Sequence, residues 1–131
     1  MIALDTNVLI RFLVRDDEPQ ALRARALLEA CRERGEACLI THPVLCEVEW
    51  VLDSVYKASR ANIGAALRTL QATPPFALED EGLVERALRS YARGKGDFSD
   101  YLLGEIGEAR GARTTFTFDR KLRGRGGFTL L

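Results

Sequence analysis

Apolar and polar positions run along this chain in two rhythms. IALD, CLIT, FAL, TTFTF and FTLL are short stretches rich in apolar and β-branched residues, each the length of a buried strand. Between them lie longer segments with helical spacing. TNVLIRFLV follows the first strand directly. DDEPQALRARALLEACRERG has a clear start and stop, with Asp17 to cap it, Pro19 in its first turn and Gly35 to end it. HPVLCEVEWVLDSVY reads as a helix capped by Thr41 with Pro43 in its first turn, and ANIGAALRTLQA as another, closed by Thr73-Pro74-Pro75. EDEGLVERALRSYARGKG is amphipathic, with Leu83, Val84, Ala87, Leu88, Tyr91 and Ala92 on one stripe. DFSDYLLGEIGEARG is the last helix, and RGRGG is a tight loop before the final strand. Short strands alternating with helices predict an α/β fold around a mainly parallel sheet of 4–5 short strands. Helices outnumber strands, so some connections must be helix pairs. There is no repeat, low-complexity tract or linker, and residues 1–131 are expected to form a single domain.

Polar residues break this pattern where a core would be expected. In IALDTNVLI, Asp5, Thr6 and Asn7 interrupt an apolar run. Ligands of open α/β sheets bind beyond the carboxyl ends of the strands, so Asp5 can face a crevice there instead of the core. Asp119 stands in the same position after TTFTF. Val44, Glu47, Val48 and Val51 fall at i, i+3, i+4 and i+7, which puts Glu47 on an apolar stripe where an unpaired charge is costly. Glu49 lies between Leu45 and Leu52, and periodicity does not choose between the two acids. Asp97 and Asp100 share a helix face that Gly104, Gly107 and Gly111 continue. Glycine costs about 1 kcal/mol relative to alanine in a helix, so such a face implies close packing. Each acid also has a plain structural reading: Asp97 and Asp119 as caps, Glu47 as the partner of a buried arginine, Asp5 as a structural aspartate. If they converge, carboxylates 4 Å apart repel by roughly 4 kcal/mol at an effective dielectric near 20. A divalent cation relieves this, and oxygen-only ligands select magnesium or manganese over zinc. Such sites serve phosphoryl chemistry.

Composition narrows the field further. Apolar residues make up 47% of the chain, enough for a core without staples. Nineteen basic residues balance nineteen acidic ones, which argues against binding nucleic acid by bulk charge alone. Local patches remain. Arg120, Lys121, Arg123 and Arg125 follow Asp119, Arg11 and Arg15 follow Asp5, and Arg93 and Lys95 precede Asp97. They are either solvated surface or contacts that position a phosphate backbone without reading bases. Cys31, Cys38 and Cys46 are odd in number and no secretion signal precedes them, the pattern of a reduced, cytoplasmic protein. With His42 they match no zinc spacing, and His42, just before Pro43, reads as a surface or capping residue. No run suits a membrane span. There is no Walker-type loop and no serine elbow.

The ordered set Asp5-Thr6-Asn7, Glu47 in VLCEVEWVL, Asp100 in DFSDYLL and Thr117-Phe118-Asp119 resembles the PIN-domain ribonucleases, and among them the VapC-type toxins of bacteria and archaea. The likeness covers nearly the whole chain. It implies a three-layer α/β/α PIN-like fold and a Mg2+- or Mn2+-dependent endoribonuclease. It also implies Asp5, Glu47, Asp100 and Asp119 as catalytic acids and metal ligands, with Asp97 an accessory acid and ligand. Asn7 and Thr117 become accessory polar residues. The glutamate of the family's helix matches Glu47, not Glu49. The implied partners are an RNA substrate, a cognate VapB-type antitoxin and a second copy of the chain, with Leu39, Trp50 and Tyr56 as guesses at the dimer interface. Three rival readings fit the residues less well. A metal-dependent phosphatase would carry an Asp-x-Asp pair, where this chain has Asn7. A non-catalytic nucleic-acid-binding or regulator-like module would not retain the whole acid set. A flap-type DNA nuclease needs clamp elements for which the chain is short.

Overall fold

Six helices and five short strands follow one another in the order that the patterning predicts, and every strand pairing is parallel. The fold is therefore α/β, as expected, in a computed structural model that describes residues 1–131. The chain divides into two units, Met1–Glu79 and Asp80–Leu131.

The first unit runs β1 (Ile2–Ala3), α1 (Thr6–Val14), α2 (Glu18–Arg34), β2 (Cys38–Ile40), α3 (His42–Ser54), α4 (Arg60–Ala72) and β3 (Phe76–Leu78). Its sheet has the order β1-β2-β3, with Ile2 opposite Cys38 and Cys38 opposite Phe76. Parallel neighbours need a crossover, and here each crossover is a helix pair, α1–α2 and then α3–α4. The helix ends are legible. The Asp17 carboxylate accepts from the Gln20 N–H at 3.1 Å, and Gly35 closes α2 at φ +63°, where a side chain would be strained. The core of this unit is Leu9, Ile10, Leu28, Ile40, Leu45, Val48, Leu67 and Leu70. Phe12 meets Phe76 edge to face with ring centroids 5.2 Å apart. The three cysteines are free thiols, and burial, then the neighbouring Cys31, pushes the Cys38 thiol up to about 11.

The second unit runs α5 (Glu81–Arg93), α6 (Phe98–Ala109), β4 (Thr115–Thr117), a 3-10 turn (Arg120–Leu122) and β5 (Phe128–Leu130). β4 and β5 form a two-stranded parallel ladder. Val84, Ala87, Leu88 and Tyr91 of α5 are buried, with Phe98, Tyr101 and Leu102 of α6. Phe98 is fully buried, and truncating such a residue to alanine costs about 3–5 kcal/mol.

Five expectations are corrected. His42 is not a surface residue: it is buried, its ring Nε2 lies 2.7 Å from the Glu79 carbonyl oxygen, and its N–H donates to the Glu79 carboxylate at 2.9 Å. Glu79 thereby caps α3, for which Thr41 offers no side-chain bond. The buried stripe of α3 is His42, Leu45, Val48, Glu49 and Leu52, so Glu49 lies inside while Glu47 is exposed. Ala92 lies on the outer side of α5. Gly111 is beyond the end of α6, at φ +89° in the turn toward β4. The close packing inferred from the glycines belongs to the other two. A methyl on Gly104 would lie 2.7 Å from the Phe128 ring, and one on Gly107 would lie 3.2 Å from the Thr115 hydroxyl.

Candidate functional site

In the first unit, the pairing of β1 with β2 runs out where the Leu4 N–H donates to the Leu39 carbonyl at 3.1 Å. The next residue, Asp5, is extended and becomes the N-cap of α1. A capping side chain usually bonds the second or third helical N–H. Here Asp5 Oδ1 accepts from the first, Thr6 N–H, at 2.8 Å. Thr6 itself is 4% exposed, and its hydroxyl donates to Glu47 Oε2 on α3 at 2.5 Å. Of the three polar residues that interrupt the opening apolar run, then, only Thr6 is in the interior. Asp5 and Asn7 are exposed. Asn7 lines a groove of about 330 Å³ with Arg11, Arg23 and Leu27.

The second unit places its acids on helix starts. Asp97 is the N-cap of α6 and Asp100 stands in its first turn, where Asp100 Oδ2 accepts from the Asp97 N–H at 3.2 Å. The chain reaches Asp97 through a tight approach. The buried Gly96 N–H donates to the Tyr101 hydroxyl oxygen at 3.0 Å, and a methyl on Gly96 would lie 2.4 Å from Leu122. Asp119 caps the 3-10 turn, its Oδ1 accepting from the Lys121 N–H at 2.9 Å. Thr117, one of the accessory residues, accepts from the Asp119 N–H at 3.0 Å. Burial, opposed by the Asp97 hydrogen bond and reinforced by the Asp97 and Asp119 charges, raises Asp100 above the usual carboxylate range. Lys121 pulls the other way.

The plain capping reading is thus correct for Asp5, Asp97 and Asp119, and it does not compete with the functional one. In each principal acid one oxygen is tied to an internal donor: Asp5 Oδ1, Glu47 Oε2, Asp100 Oδ2 and Asp119 Oδ1. The second oxygen of each lies outside those bonds, on a side chain of fixed orientation. No three His, Cys, Asp or Glu side chains stand close enough together to enclose an ion. A closed cage is not what the donor set resembles. Magnesium takes hard oxygens, keeps several waters and is held by one or two carboxylates with substrate phosphates. Within each unit a pair of such carboxylates, Asp5 with Glu47 in the first and Asp100 with Asp119 in the second, fits that chemistry.

The basic residues divide. Arg11 is already engaged: it donates to Gln20 Oε1 at 2.6 Å, pairs with Asp16 at 2.5 Å and lies 3.3 Å from the Tyr56 hydroxyl. Arg15, Arg93, Lys95, Arg120, Lys121 and Arg123 are exposed. Sequence reasoning missed Thr6 as a working residue. The signal was present, because Thr6 shares a stripe with Leu9 and Ile10 and so had to be buried.

The PIN domain family matches residues 2–127. A VapC ribonuclease of Aquifex aeolicus (strain VF5) is 25% identical over 123 residues, which covers 94% of this chain and 90% of that protein. No helix of the chain is long and apolar enough to cross a membrane.

Proposed function

We propose, on the premise that this chain belongs to the PIN-domain family, that it is a Mg2+- or Mn2+-dependent endoribonuclease and the toxin of a VapBC-type pair. The observation that carries the reading is the shared treatment of Asp5, Glu47, Asp100 and Asp119, each anchored through one oxygen with the other left open. Asp5, Glu47, Asp97, Asp100 and Asp119 would be the residues that hold metal, which would supply counter-charge and polarise water for attack on an RNA phosphodiester. The chain's own part is orientation. Thr6 holds Asp5 and Glu47, the Asp97 N–H holds Asp100, and Thr117 with the Lys121 N–H holds the Asp119 turn. Preorganised groups need no rearrangement at the moment of reaction. Asp97 serves as an accessory acid. Arg120, Lys121 and Arg123, exposed just after Asp119, contact the backbone of the RNA strand, as do Arg15, Arg93 and Lys95.

In this reading the protein works in the cytoplasm as a homodimer, and a VapB-type antitoxin inhibits it by presenting a basic side chain to the acids. Cleavage of assorted RNAs with magnesium or manganese, with and without chelator, tests the proposal. The expected products carry a 5′-phosphate and a 3′-hydroxyl, and none form with chelator. Metal-dependent hydrolysis of a small phosphate ester with RNA left intact would instead identify a phosphatase.

A further inference from the structure

We infer that Thr6 is a positioning residue, whose hydroxyl orients Glu47 and whose backbone N–H orients Asp5, the two principal acids of the first unit; the inference rests on reading those acids as part of the nuclease site. Thr6, His42 and Glu49 are the buried residues of polar or charged type. A buried hydroxyl needs a partner, and Thr6, as the first residue of α1, has no preceding turn of helix to supply one. It reaches to a side chain 41 residues away on another helix. Glu47 does not need that bond for its own sake. It is exposed, and water can solvate its carboxylate. The bond therefore fixes a rotamer; it does not rescue a buried charge. A β-branched residue suits the task, since its χ1 is restricted to few rotamers. The backbone N–H of the same residue holds Asp5 Oδ1. Two acids from two elements are thus indexed to one residue, and their open oxygens, Asp5 Oδ2 and Glu47 Oε1, keep a constant relation.

The test uses the full chain with Thr6→Val, which keeps the shape and the Asp5 contact but lacks the hydroxyl, and Thr6→Ser, which keeps the hydroxyl. Calorimetric titration with Mn2+ and steady-state kinetics on RNA are the readouts. Groups that orient metal ligands are typically worth about 10- to 100-fold in affinity or activity. Thr6→Val should lose that much in Mn2+ affinity and in kcat with KM for RNA unchanged, and Thr6→Ser should recover both to within a few fold. In a Glu47→Gln background, Thr6→Val should weaken Mn2+ binding no further. Unchanged Mn2+ affinity and kcat in Thr6→Val would overturn the inference. So would equal losses in Thr6→Ser with a lowered Tm, which would assign the methyl group a packing role. A wild-type chain that cleaves no RNA overturns the nuclease reading alone, and Mn2+ affinity still decides Thr6. A wild-type chain that binds no Mn2+ ends both.

Discussion

The carboxylates displaced from their usual range move in opposite directions in the two units, down at Asp16 and Glu36 in the first and up at Asp100 in the second. In the first, the displaced acids are met by donors. Asp5 and Glu47 both accept from Thr6, and Asp16 is held below the usual carboxylate range, first by the Tyr56 hydroxyl at 2.5 Å and then by the Arg11 charge, against partial burial. In the second, acid is set near acid. Asp100 is raised by burial and then by Asp97 and Asp119. A carboxylate lowered by a hydroxyl and a guanidinium stabilises the fold. One raised by burial and like charges destabilises the fold while ionised, and such groups concentrate where chemistry is done.

Substitution of the acids gives the largest expected effect. Asp100→Asn and Asp5→Asn should each lower kcat on RNA by at least about a hundred-fold, roughly 3 kcal/mol of transition-state stabilisation, with circular dichroism unchanged. Loss in Asp100→Asn beside wild-type cleavage in Asp5→Asn would confine the chemistry to the second unit and break the comparison. Full activity in both would remove the acids from the mechanism.

The strand and helix order was readable because it rests on period and caps. Asp17, Pro19 and Gly35 mark α2 by local rules alone. The positions of Asp5, Asp97 and Asp119 were readable for the same reason, since each stands where an element begins. What escaped were relations across elements. Glu47 and Glu49 are two apart on one helix, so no period puts both on a buried stripe, and only packing shows which is inside. His42 looked like surface because its partner, Glu79, lies 37 residues away. Gly96 gave no sign that Leu122, 26 residues on, fills the place of its missing side chain.

Packing comes next in size. Gly104→Ala drives a methyl into the Phe128 ring, which also meets Tyr101 edge to face at 6.4 Å, and overpacking of this kind costs about 1–3 kcal/mol. Gly35→Ala in the first unit meets nothing within 4 Å, and its cost is the left-handed backbone alone, about 1 kcal/mol. Urea melts of both variants should rank them in that order. Equal costs would mean that α6 yields as easily as a helix end.

A smaller effect separates the basic residues. Replacing Arg120 and Arg123 together by alanine should weaken RNA binding at low salt and reduce the slope of log K against log[salt] by about 1–2, with stability unchanged. Arg11→Ala should do the reverse, lowering stability through Asp16, Tyr56 and Gln20 while leaving the salt slope intact. A reduced slope in Arg11→Ala would place its guanidinium on the RNA despite those bonds.

The smallest effects are the most diagnostic of the opposed carboxylates, and they are read as stability against pH. A depressed folded pKa, as at Asp16, gives stability that is complete above the unfolded value and is lost as pH falls through the folded one. Tyr56→Phe removes its first cause, so this variant should be less stable than wild type at pH 7, with the difference shrinking under acid. A raised folded pKa, as at Asp100, works the other way. The protonated form is favoured by folding, so that contribution is present below the unfolded value and lost as pH rises through the folded one. Asp100→Asn keeps an oxygen for the Asp97 N–H and sheds the charge. It should therefore be more stable than wild type at pH 7, with the advantage vanishing as pH drops below the ordinary carboxylate range. Melting curves of the two variants across that range should diverge from wild type in opposite directions at neutral pH. If Asp100→Asn is destabilised there, its carboxylate serves the fold through the cap more than it strains it, and the two units handle their acids alike.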